Sequence, residues 1–205
     1  KHIQKNDIVN VLIIAEGETS RKSERKLSES QEKLKKLKEE ANKANQIIGT
    51  SKLRILDYPD NRLDSIDRLD LIKVIENNIK EFSPNIIYTH YAWDLNIDHR
   101  IIHEAVITAC RPIPNQNIKQ IYCFEITSST EWQSPVVYPN FSPNYYVDIT
   151  LQKEKKLAAL SKYKSEMREW PHSRSLKSIE NLFRLRGAQV GLEAAEAFML
   201  VRQIA

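Results

Sequence analysis

The sequence of 205 residues has no long apolar run. The longest near the N-terminus, Val9 to Ala15, is seven residues and is interrupted by Asn10. A membrane span needs about 20 apolar residues, so none is expected here. The run continues into Glu16-Gly17-Glu18 rather than a small-residue cleavage site, which argues against a signal peptide and for a cytoplasmic domain. Cysteine is scarce: Cys110 and Cys123 match no paired metal or redox spacing and read as small buried hydrophobes. No internal repeat or low-complexity tract is present. A one-sided charge is missing too. The whole formal net charge of +4 is accounted for by segment 20–45, which holds nine Lys/Arg against five Glu. Because Glu24, Glu29, Glu32, Glu39 and Glu40 are interleaved with the basic residues, the stretch reads as a solvated helix face rather than a nucleic-acid groove. With 41% hydrophobic and 28% charged residues, the composition is that of a folded globular domain, not a disordered chain.

The apolar pattern alternates between short β-branched runs and helical stripes. Val9–Ile14, Leu53–Leu56, Ile86–Thr89 and Ile121–Ile126 read as strands, and Tyr145–Ile149 as a shorter fifth. Leu34, Leu37, Ala41, Ala44 and Ile48 form one helical stripe ending at Gly49. A second stripe, Ile66 to Phe82, has Ser65 or Asp64 as its expected cap. A third helix is expected to start near Asp98 or His99, a fourth to run from Thr150 to about Glu166, and a last from Ser175 to the C-terminus with a break at Gly187. Strand–helix alternation with apolar, unalternating strands predicts an α/β fold. The expected architecture is Rossmann-like, a mainly parallel sheet with helices on both faces, forming one domain over residues 1–205. In such folds the chemistry lies beyond the carboxyl ends of strands, which points to Glu16–Arg21, Asp57–Asn61 and His90–His103.

The last of these is the richest. His90, His99 and His103 share a 14-residue window with Asp94, Asn96 and Asp98. Imidazole beside carboxylate at a strand end is the composition of a metal or acid–base centre, although an Asp-capped surface loop would look the same. His99 and His103 lie one turn apart, but without the glutamate of a metalloprotease helix. His103, beside Ile102, reads as partly buried or sugar-facing rather than ligating. Residues 127–144, rich in Ser, Thr, Pro and Asn, form a loop long enough to be functional.

The order Gly17-Glu18-Thr19-Ser20-Arg21, Asp57-Tyr58-Pro59-Asp60-Asn61, Tyr88-Thr89-His90, Asp94-x-Asn96-x-Asp98-His99-Arg100 and Ser128-Ser129-Thr130-Glu131-Trp132 resembles the PIG-L/LmbE-like de-N-acetylases. These are metal-dependent hydrolases that remove acetyl groups from N-acetylglucosamine-type sugars. The resemblance implies His99 as a ligand of Zn²⁺ or another divalent ion, with Asp98 orienting a ring or carboxylate beside it. It also implies Asn96 where many members place a histidine, and leaves His90 as a candidate general acid. The family's leading His-Pro-Asp-Asp motif, which supplies two further ligands and the base, is absent from these residues, so a first strand carrying it is expected ahead of Lys1. Arg21, Asp60, Trp93 and Trp132 are the expected contacts to a small-molecule amino-sugar conjugate. Arg174 and Arg186 are weaker candidates, because pairing with Glu196 or Asp148 would explain them equally well. No nucleic acid or transmembrane segment is implied, and a homo-oligomer is compatible with the sequence. The alternative is a non-catalytic sugar- or nucleotide-binding domain on the same scaffold.

Overall fold

The computed structural model describes residues 1–21 and 27–205, with the side chains of 21–30 outside the described part. Lys22, Glu24, Arg25 and Lys26 of the charged stretch, and the Arg21 side chain, therefore lie outside the described residues. The chain forms two compact units. One comprises Lys1–Asn61 and Val147–Glu196, the other Arg62–Tyr146 and Ala197–Ala205.

In the first unit β1 (Asn10–Ala15) pairs in parallel with β2 (Lys52–Tyr58), and α1 (Leu27–Ile48) connects them. The α1 stripe behaves as its spacing requires as far as Ala44, whereas Ile48 in the last turn is exposed. Ala41 and Ala44 are buried, Leu34 and Leu37 half-buried, and Lys33, Lys35 and Lys36 exposed. Gly49 ends the helix at φ +94, a left-handed conformation that side chains rarely adopt. Glu40, buried within this helix, accepts a hydrogen bond from the Ser165 hydroxyl at 2.6 Å. The second part of the unit contains α4 (Lys153–Leu160) and α5 (Leu176–Ala188), whose core is Ile149, Ile179, Phe183 and Ala194. The fourth helix is much shorter than its expected reach to Glu166, and the Ser175 hydroxyl caps α5 through Ser178 N–H at 3.1 Å.

In the second unit α2 (Arg68–Phe82) packs on α3 (Ile97–Ala109) through Leu71, Ile72 and Ile75 on one side and Ile101, Ala105 and Ala109 on the other. Each of the larger aliphatic side chains contributes about 1.5–3 kcal/mol by leaving water. Asp67, not Ser65 or Asp64, caps α2, because residues Leu63–Ser65 form a separate 3-10 turn. β3 (Ile86–His90) runs parallel to β4 (Gln120–Phe124).

Two expectations are corrected. Among the described residues the strands form two sheets, β1-β2 and β3-β4-β6-β5, rather than one mainly parallel sheet. The C-terminal segment is also not helical. β6 (Ala195–Gln203) pairs antiparallel with β4, and β5 (Tyr145–Asp148) lies on its other side. Ala-Glu-Ala-Phe-Met-Leu is a helix-prone run, but the open edge of β4 offers it a hydrogen-bond ladder and aromatic partners. Tyr88 and Phe198 meet edge-on at 5.2 Å. Propensity is a weak bias that such pairing overrides.

Two stability tests follow from the first unit. A Cβ on Gly187 would lie 2.5 Å from the Leu192 carbonyl oxygen and 2.9 Å from Ala194 backbone atoms. Gly187→Ala should therefore destabilise by about 1–3 kcal/mol in urea denaturation, despite its higher helix propensity. Burial alone would raise the Glu16 carboxyl, but the Thr19 hydroxyl and the N–H groups of Glu18, Thr19 and Asp60 outweigh it and hold it below 4.5. A depressed carboxyl stabilises fully above its unfolded value and loses that contribution as pH falls through its folded value. Glu16→Gln should thus be less stable at pH 7, and should lose less stability than the parent on acidification from about pH 4.5 downward.

Candidate functional site

The carboxyl ends of the parallel pair β3 and β4 carry two connections, 91–96 and 125–129, and the first delivers the chain into α3. Asn96 caps that helix by accepting from Asp98 N–H at 2.8 Å, which commits its amide oxygen and leaves its NH₂ as the donor end. Asp94 folds the preceding turn by accepting from Asn96 N–H at 3.0 Å.

Asp94 is 1% exposed and is the hub of the site. Its carboxylate faces His99 Nδ1 at 2.9 Å and accepts from the Thr130 hydroxyl at 2.6 Å and from the Ser129 hydroxyl. Burial pushes its pKa up, but the hydrogen bonds from His99, Ser129 and Thr130 prevail and hold it at about 2. An ionised carboxylate only accepts, so His99 must carry its proton on Nδ1, and Nε2 is the nitrogen not engaged by Asp94. The His99 side chain is 19% exposed, so the ring is sheltered but reachable.

His90 stacks on His99 with ring centroids 4.1 Å apart and planes within 4°. Its Nδ1 is buried without a hydrogen-bond partner among the described residues. Burial, with smaller contributions from His99 and His103 and against the pull of Asp94, lowers its pKa to about 3. The ring is therefore neutral at physiological pH. His103 donates from Nδ1 to the His90 carbonyl at 2.8 Å and lies 3.5 Å from Cys123 Sγ, so it ties α3 to the end of β3. Asp98 is buried and accepts from Leu63 N–H at 2.9 Å, which anchors the 3-10 turn ahead of α2. The carboxylate on the His99 ring is thus Asp94, where the sequence had suggested Asp98.

Trp93 and Trp132 are 42% and 52% exposed, and Trp93 stacks on Tyr138 at 5.4 Å. Asp60 belongs to the other unit, where it accepts from the Ser20 hydroxyl. There it lines a pocket of about 240 Å³ with Gly17, Ser20, Asn61, Glu166 and Arg174. Arg174 pairs with Glu166 at 2.7 Å, rather than with Glu196 or Asp148 as the sequence had suggested, and Arg186 bonds Gln189 at 3.1 Å.

Sequence reasoning missed Ser129 and Thr130 as partners of Asp94, having read their loop as a sugar contact. One signal was available: Ser128-x-x-Glu131 has the spacing of a capping box, which announces a built turn. Among the described residues no three His, Cys, Asp or Glu side chains converge as a metal set. Among the described residues His99 has the form of a ligand, with a buried carboxylate behind its Nδ1. A catalytic zinc takes three protein ligands, so further donors would be required.

The chain is 30% identical over 132 residues to the uncharacterized deacetylase YaiS of Escherichia coli K12, a match covering 62% of this chain and 64% of that protein, less than two thirds of its length. Among solved structures, the N,N'-diacetylchitobiose deacetylase of Pyrococcus horikoshii superposes with a TM-score of 0.76 at 18% identity, covering 98% of this chain and 75% of that one. GalB of Pseudomonas putida KT2440, a 4-carboxy-2-hydroxymuconate hydratase, superposes at 0.74 with 19% identity, covering 100% and 88%. At such identities the likeness shows a shared fold, and that fold hosts both reactions. The sequence profile of PIG-L, GlcNAc-PI de-N-acetylase, matches residues 1–110, more than half of the chain, and with the arrangement around His99 this places the protein in the PIG-L family.

Proposed function

We propose that this chain belongs to a deacetylase that hydrolyses the N-acetyl group of an amino-sugar conjugate, and that His99 is its working imidazole. The observation that carries the reading is the buried Asp94–His99 pair at the strand ends, with Nε2 left unengaged by the carboxylate. Zinc, or another divalent ion, would take His99 Nε2 as one ligand, with donors beyond the described residues completing the set. Such an ion lowers the pKa of a bound water and polarises an acyl oxygen.

The residues in hand have narrower tasks. Asp94 holds the ring in orientation through Nδ1. The Asn96 NH₂ is a neutral donor suited to an acyl oxygen, and it carries no proton for a leaving amine at neutral pH. His90, neutral and stacked on His99, forms a rigid wall and is poorly suited as a proton donor. Asp98 acts through the backbone that it anchors. The exposed faces of Trp93 and Trp132 suit the apolar side of a pyranose. Amide hydrolysis consumes one water and yields acetate and the free amine, which must leave protonated. Among the described residues no helix is long and apolar enough to cross a membrane.

Acetate release from a panel of N-acetylglucosaminides, with and without chelator, tests the reading. His99→Ala should abolish release. Asp94→Asn should lower kcat/KM by about 10–100-fold, as expected when the carboxylate behind a ligand imidazole is lost. Undiminished turnover in His99→Ala would remove the proposal, and sugar binding without acetate release would favour the non-catalytic alternative. His103→Ala should retain metal binding while losing about 1 kcal/mol of stability with its bond to the His90 carbonyl, measured by metal titration and urea denaturation. Loss of metal binding in that variant would show that the ligand assignment is wrong.

A further inference from the structure

The turn after β4 is more elaborate than a surface loop needs. Ser128 is buried and sits at φ +65, a left-handed conformation uncommon outside glycine. The Glu131 carboxylate holds the turn from inside, accepting from Ser128 N–H at 2.5 Å and Ser129 N–H at 3.2 Å. The Thr130 hydroxyl accepts from Ile126 N–H at 2.8 Å, so its single proton is directed onward, to Asp94. The Ser129 hydroxyl donates to the other oxygen of the same carboxylate. Gln133 Nε2 donates to the Asp94 backbone carbonyl at 3.2 Å. The turn thus grips both the side chain and the main chain of one buried residue.

We infer that Ser129 and Thr130 are positioning residues: their hydroxyls lock the Asp94 carboxylate in one rotamer, and Asp94 in turn fixes His99 as a single Nδ1–H tautomer with Nε2 directed away from it. A carboxylate with only the His99 and Asn96 donors would be short of partners on Oδ2 and free to turn about its last torsion. The ring would then lose both its tautomer and its aim. The relevance to turnover rests on the reading of His99 above; the orientation of the ring does not.

The test is nitrogen NMR of the histidine rings in this 205-residue chain, without metal, at pH 7.5. The parent should show His99 protonated on Nδ1, with a slowly exchanging ring proton. In Ser129→Ala combined with Thr130→Val, that nitrogen should become a tautomer mixture and its proton should exchange about tenfold faster, the loss expected for one hydrogen bond to a charged group. Thr130→Ser, which keeps the hydroxyl, should behave as the parent. If the double variant does not melt cooperatively, the contrast between Thr130→Val and Thr130→Ser decides the question. An unchanged His99 signal in a folded variant lacking the hydroxyls, or an Nε2–H ring in the parent, would overturn the inference. In a preparation that releases acetate, kcat should fall about 10–100-fold with KM within about twofold, and a rise confined to KM would also overturn it. A preparation that holds a stoichiometric divalent ion and shows the tautomer response but releases no acetate would retire the deacetylase reading and leave the positioning role standing.

Discussion

A carboxylate taken out of water must find donors for its lone pairs or give up its charge, and Asp94 meets that demand with four. A ring nitrogen, two hydroxyls and a backbone N–H converge on two oxygen atoms in a residue 1% exposed. The local structure of this unit follows from that saturation. The 91–96 connection must curl for Asn96 N–H to reach the carboxylate, α3 must start where it does for His99 to face it, and the 126–131 turn must adopt a strained residue to bring in the hydroxyls.

The same solution recurs elsewhere in the molecule. Glu16 is satisfied by the Thr19 hydroxyl and three N–H groups, Glu40 by the Ser165 hydroxyl, and Asp98 by Leu63 N–H. Neutral donors spare the fold the desolvation of a second ion, which makes many buried ion pairs poor stabilisers. They also leave the charge of the carboxylate uncancelled. At Asp94 that residual charge acts on an imidazole, and this separates a site from a structural anchor built in the same way.

Family membership narrows the chemistry more than the architecture does. One architecture supports a diacetylchitobiose deacetylase and a 4-carboxy-2-hydroxymuconate hydratase, so the layout of strands and helices is silent about which bond is broken. What distinguishes one site on this scaffold from another is the identity of the groups at the strand ends and how rigidly they are held. In this chain the held group is a histidine whose Nδ1 faces the buried Asp94 carboxylate. Its stacked neighbour His90, neutral and without a partner for Nδ1, is better suited to shape than to acid chemistry.

Strands β1 to β4, helices α1 to α3 and the placing of residues 90–103 at a strand end were legible in the sequence, because periodicity and strand-end position are local properties. Val9–Ile14 is too short and too β-branched to be much else, and the 3-4-3-4 spacing from Leu34 to Ile48 admits one helical face. The place of His99 in the first turn of α3 was legible for the same reason, since the pattern around it is contiguous. Residues 195–203 were not: their composition favours a helix, and only the free edge of β4 makes them a strand. Nor were the partners of Asp94. Ser129 and Thr130 lie 35 and 36 residues from it, and which of the two carboxylates in the 90–103 window, Asp94 or Asp98, meets the His99 ring depends on how the turn beyond β4 closes. Local pattern determined the elements and the residue types at their ends; tertiary structure alone decided which donors meet which acceptor, because a hydrogen bond between residues far apart in sequence depends on angles and distances that no spacing along the chain encodes.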